Sequence, residues 1–435
     1  MSAPDITSAV MEKFQSSGAM KHSTILLGAG ASVTSGLPDW DTFASRLLST
    51  SKAVSDGDMV KMLLARQDPL IVVEAAKVAA GKSWDYQLQM ALYQGLDSLD
   101  SLSPSPLHLA VVAHFLENEQ STSLVTLNFD NLLEIALERE AHEKATSVTR
   151  ASADVSGNVV HHLHGVITPQ DVDSVVLTLT DFANLIECTN SWQIDYLTAA
   201  VAKGALIIAG TSYRDPDLRQ WLHRALREKP DHHSAFVLLA REAFGVSKSG
   251  FELIQDALSS QWKAIGLEPI LLQDHADAAQ IIRELVHVEE EYYHSPQNRC
   301  RAIWEVHERD FHERQREYVK NLSRDAQRLK TVFQTDKIDL SLWISDGEKH
   351  LIRWASQDRT YHDQSALRMV ETGHDSEWIA GQALGVDALL FKNLEARGGR
   401  RWLSVLAVPL SVTHPFLPAK WGEMVLQFRS TGTAF

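Results

Sequence analysis

The sequence predicts an α/β fold, a parallel sheet with helices on both faces, followed by a helical connector and a smaller α+β domain. Short apolar runs that read as buried strands recur, each leading into a polar or small-residue turn and then an amphipathic helical pattern. Past residue 275 the texture changes, first to charged helical sequence and then to strand-like runs. At 435 residues the chain is also too long for one core, since single cores rarely exceed ~250–300 residues.

Residues 5–16 read as a short helix, and Thr24–Leu27 as a buried strand ending in the small-residue turn GAGAS (28–32). A helix over Leu37–Leu48 is entered through Pro38 and Asp39. From about 59 to 118 apolar residues fall three and four apart, a helical insertion broken at SLSPSP (101–106). STSLVTLNFDNLLEIALE (121–138) repeats the strand–turn–helix grammar, and GALIIAGTSYRDPDLRQWLHRAL (204–226) gives it again. Between them NVVHHLHGVI (158–167) and SVVLTLTDFANLI (174–186) read as strand-like, and SAFVLLA (234–240) adds another buried strand. In the charged stretch 301–333, Trp304, Phe311 and Tyr318 lie seven apart and Leu322, Leu329 and Phe333 continue the seam. That seam suits a connector packing against a copy of itself, or equally an amphipathic helix lying on its own domain. From Ile338 onward strand-like runs flank a helical middle at 373–395. The expected partition is 1–285, 286–335 and 336–435.

Composition narrows the partners. Hydrophobic residues make up 44% and charged residues 22%, as in ordinary globular proteins. The net charge of −15, without a long Lys or Arg run, argues against a nucleic-acid or anionic-membrane partner. Cys188 and Cys300 are the sole cysteines, too few for a disulfide framework or a cysteine zinc site, so no metal is expected. The N-terminal stretch lacks an apolar h-region and no apolar run approaches a membrane span, so the expected location is the cytoplasm.

Four turns carry the chemistry. Gly28, Ala29, Gly30 and Ser32 follow a strand and precede a helix, an arrangement that lets backbone N–H groups approach a diphosphate, though a plain tight turn has the same composition. Asn128 and Asp130 end the next strand, where they can face the same crevice or cap the following helix. In HHLHG, His162 and His164 share a face if the strand continues, and His161 points away. His164, followed by Gly165, suits a general base; a buried, satisfied histidine is the alternative. Gly210, Thr211 and Ser212 supply amides and hydroxyls at a further strand end, with Asp215 and Pro216 as helix cap and first turn.

In this order GAGAS (28–32) with SGLPD (35–39), Asn128-x-Asp130, His164-Gly165 and Gly210-Thr211-Ser212 resemble the sirtuin (SIR2) family over roughly residues 20–275. The resemblance implies a Rossmann-like domain binding NAD, with Pro38 and Asp39 among the cofactor-binding residues, Asn128 beside the nicotinamide ribose, His164 as catalytic histidine and Asp130 orienting the polar cluster. Protein-deacylating sirtuins carry a four-cysteine zinc module after the HG, where this chain has Cys188 alone. Leu127 replaces their Gln, and Trp40-Asp41 their aromatic-Arg pair. The chain is more similar to zinc-less SIR2-like domains of bacterial antiphage defence, which hydrolyse NAD and carry a D-[FY] helix, here Asp181-Phe182. The expectation is an NAD glycohydrolase with NAD as substrate, giving linear or cyclic ADP-ribose. The competing readings are a deacylase or ADP-ribosyltransferase, and a non-catalytic NAD-binding scaffold. SLWISDG, LIRWAS, LAVPLSV and GEMVLQF resemble a GAF-type sensory domain, implying an activating protein or small-molecule ligand there. Restraint by that module or by homo-oligomerisation is expected, because unregulated NAD cleavage would drain the cell.

Overall fold

Strand β1 (Ser23–Leu27) lies at the centre of a seven-stranded sheet and is buried at every position, as its unbroken apolar run requires. In the computed structural model, residues 6–15, 17, 21–95, 102–151, 157–187, 191–211, 216–227, 235–394, 402–413 and 420–430 are described. Two units result. The parallel-sheet unit spans Ser16–Leu239 and Ser249–Leu271, and the antiparallel-sheet unit spans Met1–Gln15, Ala240–Lys248 and Leu272–Phe435.

The other strands of the large sheet are β2 (Thr122–Thr126), β3 (Thr146–Val148), β4 (Val159–His162), β7 (Ala205–Ala209), β8 (Ala235–Ala240) and β9 (Glu268–Leu272), with β5 (Val166–Ile167) and β6 (Val172–Asp173) in a separate hairpin. The order is β3-β4-β2-β1-β7-β8-β9. β1 pairs in parallel with β2 on one side and β7 on the other, Leu27 lying opposite Thr126 and Ala209. The chain thus winds outward from β1 in both directions, which opens a crevice at the carboxyl ends of β1, β2 and β7. Helices Trp192–Lys203 and Pro216–Arg227 cover one face, burying Leu197, Leu218, Trp221 and Leu222 against Leu26, Val125 and Ile208.

The helical insertion holds helices Gly57–Arg66, Pro69–Ala80, Trp84–Tyr93 and Pro106–Glu117. Three of them share a core with helix Trp40–Thr50, through Phe43, Leu47, Val60, Val73 and Leu88. The Asp39 carboxylate accepts from Thr42 N at 2.8 Å and caps helix 40–50, so this helix starts three residues later than Leu37. Tyr93 Oη donates to Ile167 O at 2.6 Å and Lys77 Nζ pairs with Asp181 at 2.6 Å, tying the insertion to the segment after β4. In that segment residues 179–187 are helix, against the strand-like reading of 174–186 but in keeping with the helix that the resemblance implies at Asp181-Phe182. Thr178 and Asp181 form a reciprocal cap, Asp181 Oδ2 accepting from Thr178 N at 3.1 Å and Thr178 Oγ1 from Asp181 N at 3.3 Å. This cap sets the helical start against the β-branched residues before it.

In the antiparallel-sheet unit the strands are β10 (Ile338–Ser345), β11 (His350–Ser356), β12 (Met369–Glu371), β13 (Leu390–Asn393), β14 (Ser404–Thr413) and β15 (Lys420–Ser430), ordered β12-β11-β10-β15-β14-β13. The middle expected to be helical is mixed: helix Ile379–Val386 stops at Asp387 (φ +50°), and β13 follows and pairs with β14. The heptad seam is divided at Asp310 into helices Pro296–Arg309 and Phe311–Val332. Trp304, Phe311, Tyr318, Leu322, Leu329 and Phe333 pack onto β10 and β11 of their own unit, with Trp304 and Phe311 edge-on to Trp354 at 5.7 and 5.3 Å. The seam therefore serves the second of its two readings. Among the described residues no helix is long and apolar enough to cross a membrane.

Helix Pro106–Glu117 carries a titratable cap. Ser105 Oγ accepts from His108 N at 3.3 Å and His108 Nδ1 accepts from Ser105 N at 3.2 Å, a capping box in which histidine does the work of the usual Glu or Gln. Burial pushes the His108 imidazole down to about 4, so the folded state excludes a proton that the unfolded chain takes up below about 6.5. Stability therefore falls as pH drops from 6.5 towards 4, by up to ~3 kcal/mol from this group. His108→Gln keeps the reciprocal cap without titrating. Denaturant unfolding from pH 7.5 to 4.5 should show a shallower acid loss in the variant; parallel curves would remove His108 from the account.

Candidate active site

The parallel strands β1, β2, β4 and β7 leave the sheet at the same edge, so the turns at 28–32, 127–131, 163–165 and 210–211 converge there. Gly28 N donates to Ala209 O at 2.9 Å, and Gly30 N to Gly210 O at 2.6 Å. A Cβ on Gly28 would stand 2.7 Å from Thr211 Cα, and one on Gly30 2.8 Å from Gly210 O. Gly210 itself has φ +71° and lies where a Cβ would reach within 2.8 Å of Ala31 N. The glycines let two turns touch backbone to backbone, and the amides of Gly28 and Gly30 serve that contact rather than an anion.

Beside this contact lies a cavity of about 420 Å³, within the range of small-molecule sites. Of the residues singled out in the sequence, Gly28, Ala29, Ser32, Pro38, Asp39, Asn128, Asp130, His164 and Thr211 line it, whereas Gly30 and Gly210 do not. Ser212, Asp215 and Cys188 lie outside the described residues. Trp40, Phe43, Leu64, Leu92, Phe129 and Phe182 give the cavity an apolar side, and Asp68 and Arg219 add charge.

Asn128 is held at both ends. Its N–H donates to Thr126 Oγ1 at 2.9 Å and its Nδ2 to Ser32 Oγ at 2.9 Å. Its Oδ1 is buried with no partner among the described residues, an acceptor left for a ligand hydroxyl or water. His164 is buried within a ring of aromatics, 5.2 Å from Trp221, 6.3 Å from Phe129 and edge-on to Phe182 at 6.0 Å. Its carbonyl accepts from Val176 N at 3.0 Å. Gly165 follows at φ +84°, where a Cβ would fall 2.4 Å from Ser174 O, so only glycine carries the chain out of this turn.

The histidines separate for a local reason. β4 ends at His162, so strand alternation does not reach His164, and the two side chains do not share a strand face. His162 turns into the interior, its Nε2 2.6 Å from Glu134 Oε1 and its Nδ1 3.1 Å from Asn128 O. Both partners are acceptors, so both ring nitrogens donate and the imidazole is a cation. Burial alone would push His162 down, but Glu134, the Asn128 carbonyl and Asp130 outweigh it and raise its pKa. Burial would likewise raise Glu134, yet His162 and the Ser147 hydroxyl hold it below the carboxylate range. Asp130 does both things foreseen for it: it lines the cavity, and its Oδ1 accepts from Leu132 N at 3.1 Å at the head of helix Leu132–Ala141. Burial pushes the Asp130 carboxyl up, opposed by Leu132 N–H, the Ser32 hydroxyl and His162. His161 packs on Tyr196 at 4.5 Å, away from the cavity.

Residues 122–270 match the family model described as SIR2-like domain. Over these residues the chain is SIR2-like. The match begins at the first residue of β2 and ends within β9, taking in Asn128, Asp130, His164, Gly210 and Thr211 but not the glycine turn after β1. A solved structure, "Structure of Sir2Tm bound to a propionylated peptide", aligns over 65% of this chain and 98% of its own at 13% identity, with a TM-score of 0.32. Comparison with curated proteins gave no match.

Sequence reading of the SIR2-like domain missed Glu134 and Arg219. Glu134 follows Asp130 by one helical turn and looks like a solvated helix charge, the signal being its i+4 spacing from a cavity residue. Arg219 sits one turn into the helix after Gly210, at the same crevice.

Removing one partner from a buried pair leaves an uncompensated charge, at a cost of ~3–5 kcal/mol. Glu134→Leu should lose that much in denaturant unfolding, and adding His162→Leu should restore most of it. A double variant no more stable than the single would show that the two do not act as a charged pair.

Proposed function

We propose that the SIR2-like domain is an NAD glycohydrolase that cleaves the bond between nicotinamide and ribose. One observation carries the reading: a single cavity brings together Asn128, its Oδ1 without a partner among the described residues, Asp130 and His164 at the carboxyl end of a parallel sheet. In the reaction, water attacks C1′ of the ribose and the C1′–N bond breaks. Its electron pair leaves on the nicotinamide nitrogen, which departs neutral, so no strong general acid is required. Positive charge builds on the ribose in an oxocarbenium-like transition state. Asn128 orients the ribose and water, His164 takes the proton of the attacking water or of a ribose hydroxyl, and Asp130 orients the polar cluster. Attack by an internal nucleophile of the same molecule in place of water would give a cyclic product.

Two features favour hydrolysis over protein deacylation. With two cysteines the chain cannot build a four-cysteine zinc module, and Leu127 puts an apolar side chain on the cavity wall. The biological reading we attach to this is NAD depletion in bacterial antiphage defence, in the cytoplasm. Within it, the antiparallel-sheet unit is a GAF-like module that senses an activating protein or small molecule, with self-association as a second restraint.

Nicotinamide release from NAD by the purified full chain tests the proposal. Release without any acylated peptide is expected, falling at least ~10²-fold in His164→Ala and in Asn128→Ala, the usual effect of losing one acid–base or orienting group. Release that requires an acetylated peptide would favour a deacylase. NAD binding with no release from the chain or either variant would favour a scaffold.

A further inference from the structure

We propose that the antiparallel-sheet unit binds one divalent transition-metal ion, of which Zn²⁺ is the best match, through Glu242, Asp274 and His374. The three come from distant parts of the chain: the turn Arg241–Phe244, the head of helix His275–Glu284, and the loop after β12. One donor atom from each lies within 4.8 Å of the others. His374 Nδ1 is 2.5 Å from Asp274 Oδ1 and 3.9 Å from Glu242 Oε2. Zinc bound at ~2.0–2.2 Å sets neighbouring donors of a tetrahedron ~3.4 Å apart, between the shortest and longest separations seen here. An imidazole with two carboxylates is a nitrogen–oxygen set that such ions accept.

The donors are held in place from outside. Asp274 is fully buried, and its Oδ1 accepts from His374 N at 3.0 Å. Glu242 Oε2 accepts from His275 N at 3.1 Å. Arg241, next to Glu242, is engaged elsewhere, with Gln273 Oε1 and Val246 O at 2.8 Å and Asp375 at 2.9 Å. Gly373, at φ +128°, brings the loop over the carboxylates, and a Cβ there would lie 3.6 Å from Asp274 Oδ2. His374 and Glu242 keep about a quarter of their side-chain surface exposed, which leaves an entry path and room for water as a fourth ligand. An ion here would pin the loop after β12 to the head of helix 275–284.

The test is equilibrium dialysis of the chelator-stripped full chain against Zn²⁺, with metal content and thermal melting as readouts and no dependence on NAD cleavage. The expected result is one Zn²⁺ per chain and a raised melting temperature. Affinity should fall ~100-fold in His374→Ala and in Glu242→Gln, the second of which keeps an acceptor for His275 N–H. Absence of a stoichiometric site, or one retained in both variants, overturns the proposal and leaves His374 and Asp274 as an ion pair alone.

Discussion

Gly30 N–H meets Gly210 O at 2.6 Å, and a Cβ on Gly28, Gly30 or Gly210 would run into opposing backbone. This contact depends on β1 and β7 being neighbours in register and ending together, with Leu27 opposite Ala209. Once the two turns abut, the chain after β1 must rise directly into a short helix, which places Ser32 where it accepts from Asn128 Nδ2. The floor of the cavity therefore rests on a contact that has no side chains in it, and the polar residues are arranged around that contact. The small residues of the turn after β1 are a packing requirement first, and their proximity to a ligand follows from it.

Around that floor the burial of charge is local and directed. His162 joins β4 to helix Leu132–Ala141 through Glu134, and it reaches the chain after β2 through the Asn128 carbonyl. A buried pair of this kind contributes little net stability over an apolar pair, because desolvation offsets the attraction. What it does supply is orientation: Asn128 is fixed through its carbonyl, its amide N–H and its Nδ2 by three different elements. Such a fixed side chain loses little further freedom on taking up a ligand.

The legible part of the site was the part written in turns. A polar residue directly after an apolar run has few uses other than a cap or a cavity, so Asn128, Asp130 and His164 stood out, as did the glycines. Glu134 did not, because a glutamate on an amphipathic helix is usually solvated, and only the paired His162 reveals otherwise. The five inner strands of the sheet were legible through their unbroken apolar runs, whereas the pattern of 174–186 misled, because β-branched residues there precede a Thr178–Asp181 cap that local propensity does not weigh, and only the resemblance at Asp181-Phe182 pointed to the helix. Within 373–395 the helix was foreseen but β13 was not, since its pairing with β14 is set by strands remote in sequence. The expectation of no metal was drawn from cysteines and local spacing, and such reasoning has no access to three donors like Glu242, Asp274 and His374 that meet only in the fold.

Charge balance links the interior pair to the proposed chemistry. With His162 cationic and Glu134 ionised, the pair is neutral, which leaves Asp130 as the buried acid beside it on the cavity wall. Burial resists ionising Asp130, while the Leu132 N–H, the Ser32 hydroxyl and His162 favour it. A cationic nicotinamide ring, and then a cationic ribose, would join the favouring side: each is an opposite charge that lowers the cost of an ionised carboxylate. In the proposed reaction, an ionised Asp130 would be favoured most when positive charge forms at the sugar. By linkage the same coupling would tighten the hold of the proposed site on that cation.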